Sequence, residues 1–145
     1  MSTGLDVFDT TIQKTNLWLK DLMWELGWED RHQAYEGLRV TLQTLRDRLN
    51  VEEAAQLGAQ LPLLLRGTFY EGWNPTGHPT KARHLEAFLA PIRAHFRHDP
   101  RVDGEEVARA VFKLLANYIS AGEMQDIQHA LPKELHALWP TSTRL

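Results

Sequence analysis

The chain has 145 residues, 43% of them hydrophobic and with five Trp and five Phe, enough to fill the core of a single domain over 1–145. It has no cysteine, which excludes disulfides, thiolate metal sites and thiol nucleophiles and fits a reducing cytoplasm. A net charge of −3 with interspersed signs argues against a nucleic-acid partner, and no apolar run approaches a membrane span, so a soluble, unexported, cytoplasmic protein with no membrane partner is expected.

From Leu5 to Leu26 the apolar positions Leu5, Phe8, Ile12, Thr15, Leu19, Leu22 and Leu26 alternate at helical spacing and predict one long amphipathic helix with this stripe inward. Trp18, Met23 and Trp24 lie beside or off the stripe. Gly27 stops the helix. Asp30 with Gln33 forms the next capping pair, followed by a helix carrying Ala34, Leu38, Leu42, Leu45 and Leu49.

Asn50 to Phe69 then begins with a cap and a Glu three positions on, Asn50 and Glu53, where the Glu is expected to reach back to the free amides of the helix start. Its stripe Val51, Ala54, Leu57 and Leu61 runs into Leu61-Pro62. Proline cannot donate to the preceding turn but suits the first turn of a new helix, which predicts two short helices with a break between them. Gly67 to Thr80 contains Gly, Pro, Asn and Trp in an irregular stretch, with Tyr70 and Trp73 packing it against the body. Leu85, Phe88, Leu89, Ile92 and Phe96 mark a third long helix, capped at Thr80 and kinked or split by Pro91. Asp103 and Glu106 cap its partner, which carries Val107, Val111, Leu114 or Leu115, and Tyr118 or Ile119.

Ser120 to Trp139 repeats the Leu-Pro segment seventy residues later, with Ser120 and Glu123 as the capping pair and Leu131-Pro132 at the break. The same offset pairs Trp18 with Phe88, Leu22 with Ile92, Leu42 with Phe112, Leu49 with Ile119, Arg31 with Arg101, Glu36 with Glu106 and Arg39 with Arg109, without a gap. An all-α fold follows: two homologous helical units at an offset of 70 residues, 5–71 and 80–140, joined by a linker over 72–79 and packed as one bundle-like domain about a pseudo-twofold axis.

Glu52 to Gly67, the following Tyr70-Glu71-Gly72-Trp73 and the second Leu-Pro-x-Glu-Leu together resemble the bacterial domain of unknown function 2267 family, over about Phe8 to Trp139. The resemblance implies a duplicated helical domain and carries no activity or catalytic residues with it.

The polar inventory offers few chemistries. His95 and His98, with His84 earlier on the same helix, have spacing that suits a divalent metal. Histidines at a helix C-terminus are also favoured by the dipole without any metal. Glu29 with His32 and Asp126 with His129 resemble the Glu-x-x-His of di-iron bundles, but lie at a helix start and off an apolar stripe. No nucleophile elbow or phosphate-binding glycine pattern occurs, so catalysis is a minority reading. Tyr70, Glu71 and Trp73, with Asn74 and His78, are candidates for a pocket, or simply pins for the crossover. Trp24, Trp28 and Met23 are candidates for a contact surface. The expected function is a non-catalytic module that binds another protein or a copy of itself. The alternative is a small-molecule or divalent-metal-binding protein with its site between the two units.

Overall fold

The computed structural model describes residues 2–76 and 83–140, and every regular element among them is a helix. In chain order these are α1 (Asp6–Leu26), α2 (Arg31–Arg46), α3 (Val51–Gln60), α4 (Leu63–Tyr70), α5 (Leu85–His95), α6 (Gly104–Tyr118), α7 (Ala121–Ala130) and a closing 3-10 helix (Lys133–Leu138). Thr80, the expected cap of α5, and His78 lie outside the described residues; His84 occupies the N-cap position instead.

The starts and stops follow local chemistry. Asp30 accepts from the amides of His32 and Gln33 at 2.9 and 3.2 Å, and Asp103 from that of Glu105 at 3.0 Å. Gly27, at φ 69°, takes the left-handed conformation that ends α1 and turns the chain back into α2. The two Leu-Pro breaks have nearly the same backbone: Leu61 lies at φ −85°, ψ 148° and Leu131 at φ −98°, ψ 153°. Each proline opens the next element, although the second is a 3-10 rather than an α-helix.

α5 passes through Pro91 without being split. Proline leaves the carbonyl four residues earlier, that of Ala87, without its helical donor. Arg48 supplies one: its buried guanidinium donates from Nη2 to the Ala87 carbonyl at 3.0 Å and lies 5.1 Å from the Phe88 ring centroid. A second bond, from Nη1 to the Thr44 carbonyl at 3.3 Å, holds the side chain to its own helix. Burial lowers the pKa of this guanidinium and nearby Asp47 opposes the shift.

α2 and α6 touch each other, and each packs against both α1 and α5. α3 lies on α7, while α4 and the closing 3-10 helix cover the sides of α2 and α6 respectively. One apolar core runs through the whole, with Leu22, Leu38, Leu42, Phe69, Phe88, Ile92 and Phe112 among its buried residues. Close approach of α2 and α6 depends on Gly37, where an added Cβ would sit 3.3 Å from Val107 Cγ1.

Two sequence expectations need correction. The inward face of α1 is Thr11, Thr15, Trp18, Leu19 and Leu22, whereas Leu5, Phe8 and Ile12 of the expected stripe are exposed. The Glu arm of each capping pair is also missing. Asn50 and Ser120 accept from the amides of Glu53 and Glu123, but the two carboxylates turn away, each with one buried oxygen lacking a hydrogen-bond partner. The Ser120 amide donates instead to Gln60 Oε1 at 2.9 Å.

Candidate functional site

Two helix-end devices frame the linker cluster. Arg46, buried at the end of α2, donates from Nη1 to the Phe69 and Glu71 carbonyls at 2.9 and 2.8 Å, capping α4. Tyr70 stacks on Trp73 with ring centroids 5.3 Å apart, and both are partly buried against the core. The Tyr70 ring lies over Gly58 so closely that a Cβ there would be 2.2 Å from the tyrosine oxygen. Glu71 is exposed and takes part through its backbone. These residues are brought together as a clasp that fastens the end of α4 to α3.

The histidines are not brought together. His84 Nδ1 lies 3.2 Å from Glu134, whose carboxylate also accepts from the Leu85 amide at 3.0 Å. That amide first and His84 second hold the Glu134 carboxyl below the usual range. His95 Nε2 lies 2.9 Å from Glu36, and His98 is exposed. Glu36 also pairs with Arg39 at 2.7 Å and has His32 at 3.9 Å. Burial acts to raise the Glu36 carboxyl and is outweighed by Arg39, with smaller contributions from His95 and His32, leaving it below the usual range. Among the described residues no group of three or more His, Asp or Glu has an arrangement that would hold a metal. The symmetry expected of the Glu-Arg pairs is also imperfect, since Arg109 pairs with Glu105 at 2.6 Å rather than with Glu106.

The two tryptophans part company. Trp28 is partly buried and meets Phe96 edge-on, its ring centroid 6.0 Å away. Trp24 is 87% exposed. Around it Lys20, Met23, Gly27 and Trp28 shape a shallow depression of about 650 Å³. Further along α1, Val7 and Leu17 face Leu63 across a groove of about 670 Å³ whose other walls include Thr11, Lys14, Pro62, Arg66 and Tyr118. Thr11 ties its floor together by accepting from the Leu64 amide at 2.8 Å. Phe8, Leu17, Leu63 and Leu64 are each about half exposed. Sequence reasoning pointed to Trp24 but missed this groove, because its walls come from α1 and the Leu61–Arg66 corner together, whereas periodicity reads one helix at a time.

A helical body with a partly apolar groove between α1 and α4 and two Leu-Pro corners defines the class of small all-helical domains. The family model described as "Uncharacterized conserved protein (DUF2267)" matches residues 15–138, and the chain belongs to that family. Comparison with the curated proteins finds no match.

Proposed function

We propose that this chain is a non-catalytic bacterial, cytoplasmic module that works by binding protein, either another chain or a second copy of itself, through the outer edge of α1 and the start of α4. The observation that carries the reading is the groove between α1 and α4, which the half-exposed Val7, Leu17 and Leu63 line together. Scattered single apolar residues are ordinary on a surface, but several lining one groove mark a contact site. Sedimentation velocity over a range of concentrations tests the self-binding arm. The expected result is a reversible larger species that Leu17→Ser or Leu63→Ser weakens at least tenfold without changing the melting temperature. A monomer at every concentration would overturn that arm.

The reading also takes the two halves as copies of one unit about a pseudo-twofold axis. Supporting it, α3 and α7 begin and end at positions seventy apart, and Gly37 meets its counterpart Val107 where α2 crosses α6.

A further inference from the structure

The α1 wall of the groove carries an order of side chains that matches its own reverse. Val7, Thr10, Lys14 and Leu17 line the groove at steps of three and four, and so share one face of the helix. Asp6, which also lines it, and Lys20, which lines the next depression, run along one flank of that face. All six are exposed. Leu63 of α4 belongs to the facing wall.

The charges of α1 divide into those used within the chain and those left over. Asp21 accepts from the Tyr118 hydroxyl, Glu25 pairs with Lys113 at 3.1 Å, and Asp9 accepts from the Thr3 amide at 2.7 Å. Asp6, Lys14 and Lys20 form no ion pair among the described residues.

We propose that a second copy of this chain docks on the groove with its α1 antiparallel to this one, Val7 of each copy against Leu17 of the other. Resting on the binding role proposed for this groove, the pairing selects its self-binding arm. In that register Asp6 of one copy lies beside Lys20 of the other, and a twofold axis makes each contact occur twice. Thr10 falls opposite Lys14 of the second copy. A parallel pairing would instead set Asp6 against Asp6 and Lys20 against Lys20, and like charges so placed repel. One ion pair at an exposed rim adds little affinity. Two of them fix direction and register, while Val7, Leu17 and Leu63 supply the apolar area.

Sedimentation equilibrium of the full chain with charge swaps tests the pairing. Asp6→Lys and Lys20→Asp, each alone, should weaken the dimer about tenfold or more, because both of its ion pairs become repulsive. Mixed in equal amounts, the two variants restore both pairs between unlike chains, so a heterodimer of near wild-type affinity is expected. Single swaps that leave the dimer unchanged, or a mixture that does not recover it, would overturn the proposal; a dimer that Leu17→Ser still weakens would then keep the groove as a binding site. A wild-type monomer at every concentration also overturns the pairing and leaves the groove to a different protein.

Should a swap fail to fold, the cysteine-free sequence allows a second measurement. Val7→Cys with Leu17→Cys in one chain should oxidise to a covalent dimer, since a disulfide needs Cα atoms within about 7 Å and the two positions lie about 15 Å apart along one helix. Either substitution alone should crosslink about tenfold less, because the register sets like positions too far apart. Equal yields from the single and double variants would contradict the antiparallel register.

Discussion

α1 and α5 hold equivalent places in the bundle, each packed across α2 and α6, yet α1 spans 21 residues and α5 only 11. In α1 the first turns, Asp6 to Lys14, leave Val7, Phe8 and Ile12 uncovered and form one wall of the groove, whereas Trp18, Leu19 and Leu22 are occupied with packing, as Phe88, Leu89 and Ile92 are in α5.

The same comparison runs through the polar supports. Arg48 of the first half lies over Phe88 and serves the carbonyl freed by Pro91. At the matching positions Tyr118 stacks on Trp18, with centroids 4.7 Å apart, and donates its hydroxyl to Asp21. At the two Leu-Pro corners Arg66 donates from Nε to the Gly58 carbonyl at 2.9 Å, while His136 Nε2 lies 2.7 Å from that of Gln128. A carbonyl only accepts, so the His136 proton sits on Nε2. At these positions seventy residues apart the sequence supplies different chemistry.

Breaking one member of each pair sharpens the contrast. The largest effect is expected at Arg48. Arg48→Met should cost about 2–4 kcal/mol in chemical denaturation, because it removes a buried side chain and orphans the Ala87 carbonyl. Pro91→Ala restores an amide to that carbonyl and should recover part of the loss only in the Arg48→Met background, giving a non-zero double-mutant coupling. Gly58→Ala comes next, at about 1–3 kcal/mol, since the methyl must displace the Tyr70 ring; Gln128→Ala, at the matching position, should be near neutral. Arg66→Met should then cost about 1–2 kcal/mol and His136→Phe less, because the guanidinium reaches three carbonyls and the imidazole one. The smallest effect belongs to Tyr118→Phe, at about 0.5–1 kcal/mol. Burial and Asp21 push the Tyr118 phenol up to about 12, so a spectrophotometric titration of the wild type should show one tyrosine ionising late and the variant should lack it. The raised phenol contributes stability present below its ordinary value of 10.0 and lost as pH rises through about 12.

Much of this architecture was legible from spacing. Helical periodicity and capping residues located α1 to α7, and the recurring Leu-Pro located both corners. Periodicity gives the phase of a helix but not where its neighbours end, so Leu5, Phe8 and Ile12 read as core although nothing covers them. For the same reason it did not separate buried Trp18 from exposed Trp24. At Pro91 the proline rule left a kink or a split open because it considers one helix alone; α5 stays unsplit, and the missing donor comes from Arg48 on the chain segment after α2. The Glu arm of the Asn50 and Ser120 capping pairs was misplaced because the local motif considers one helix start alone, whereas the Ser120 amide finds its acceptor in Gln60 of α3. The histidine spacing does not report the partners that each side chain finds elsewhere in the fold, Glu134 for His84 and Glu36 for His95.

The most direct test of the binding edge sets α1 against α5 in the same molecule. A photo-reactive phenylalanine analogue placed at Phe8, Leu17 or Trp24, and in other copies at the exposed α5 positions Ala90 or Ala94, is irradiated in the producing cell. Covalent protein adducts, homodimeric or with one recurring partner, are expected from the α1 sites and not from α5, and Leu63→Ser should suppress the one at Leu17. Equal yields from both helices, or none from α1, would contradict a binding role for this edge.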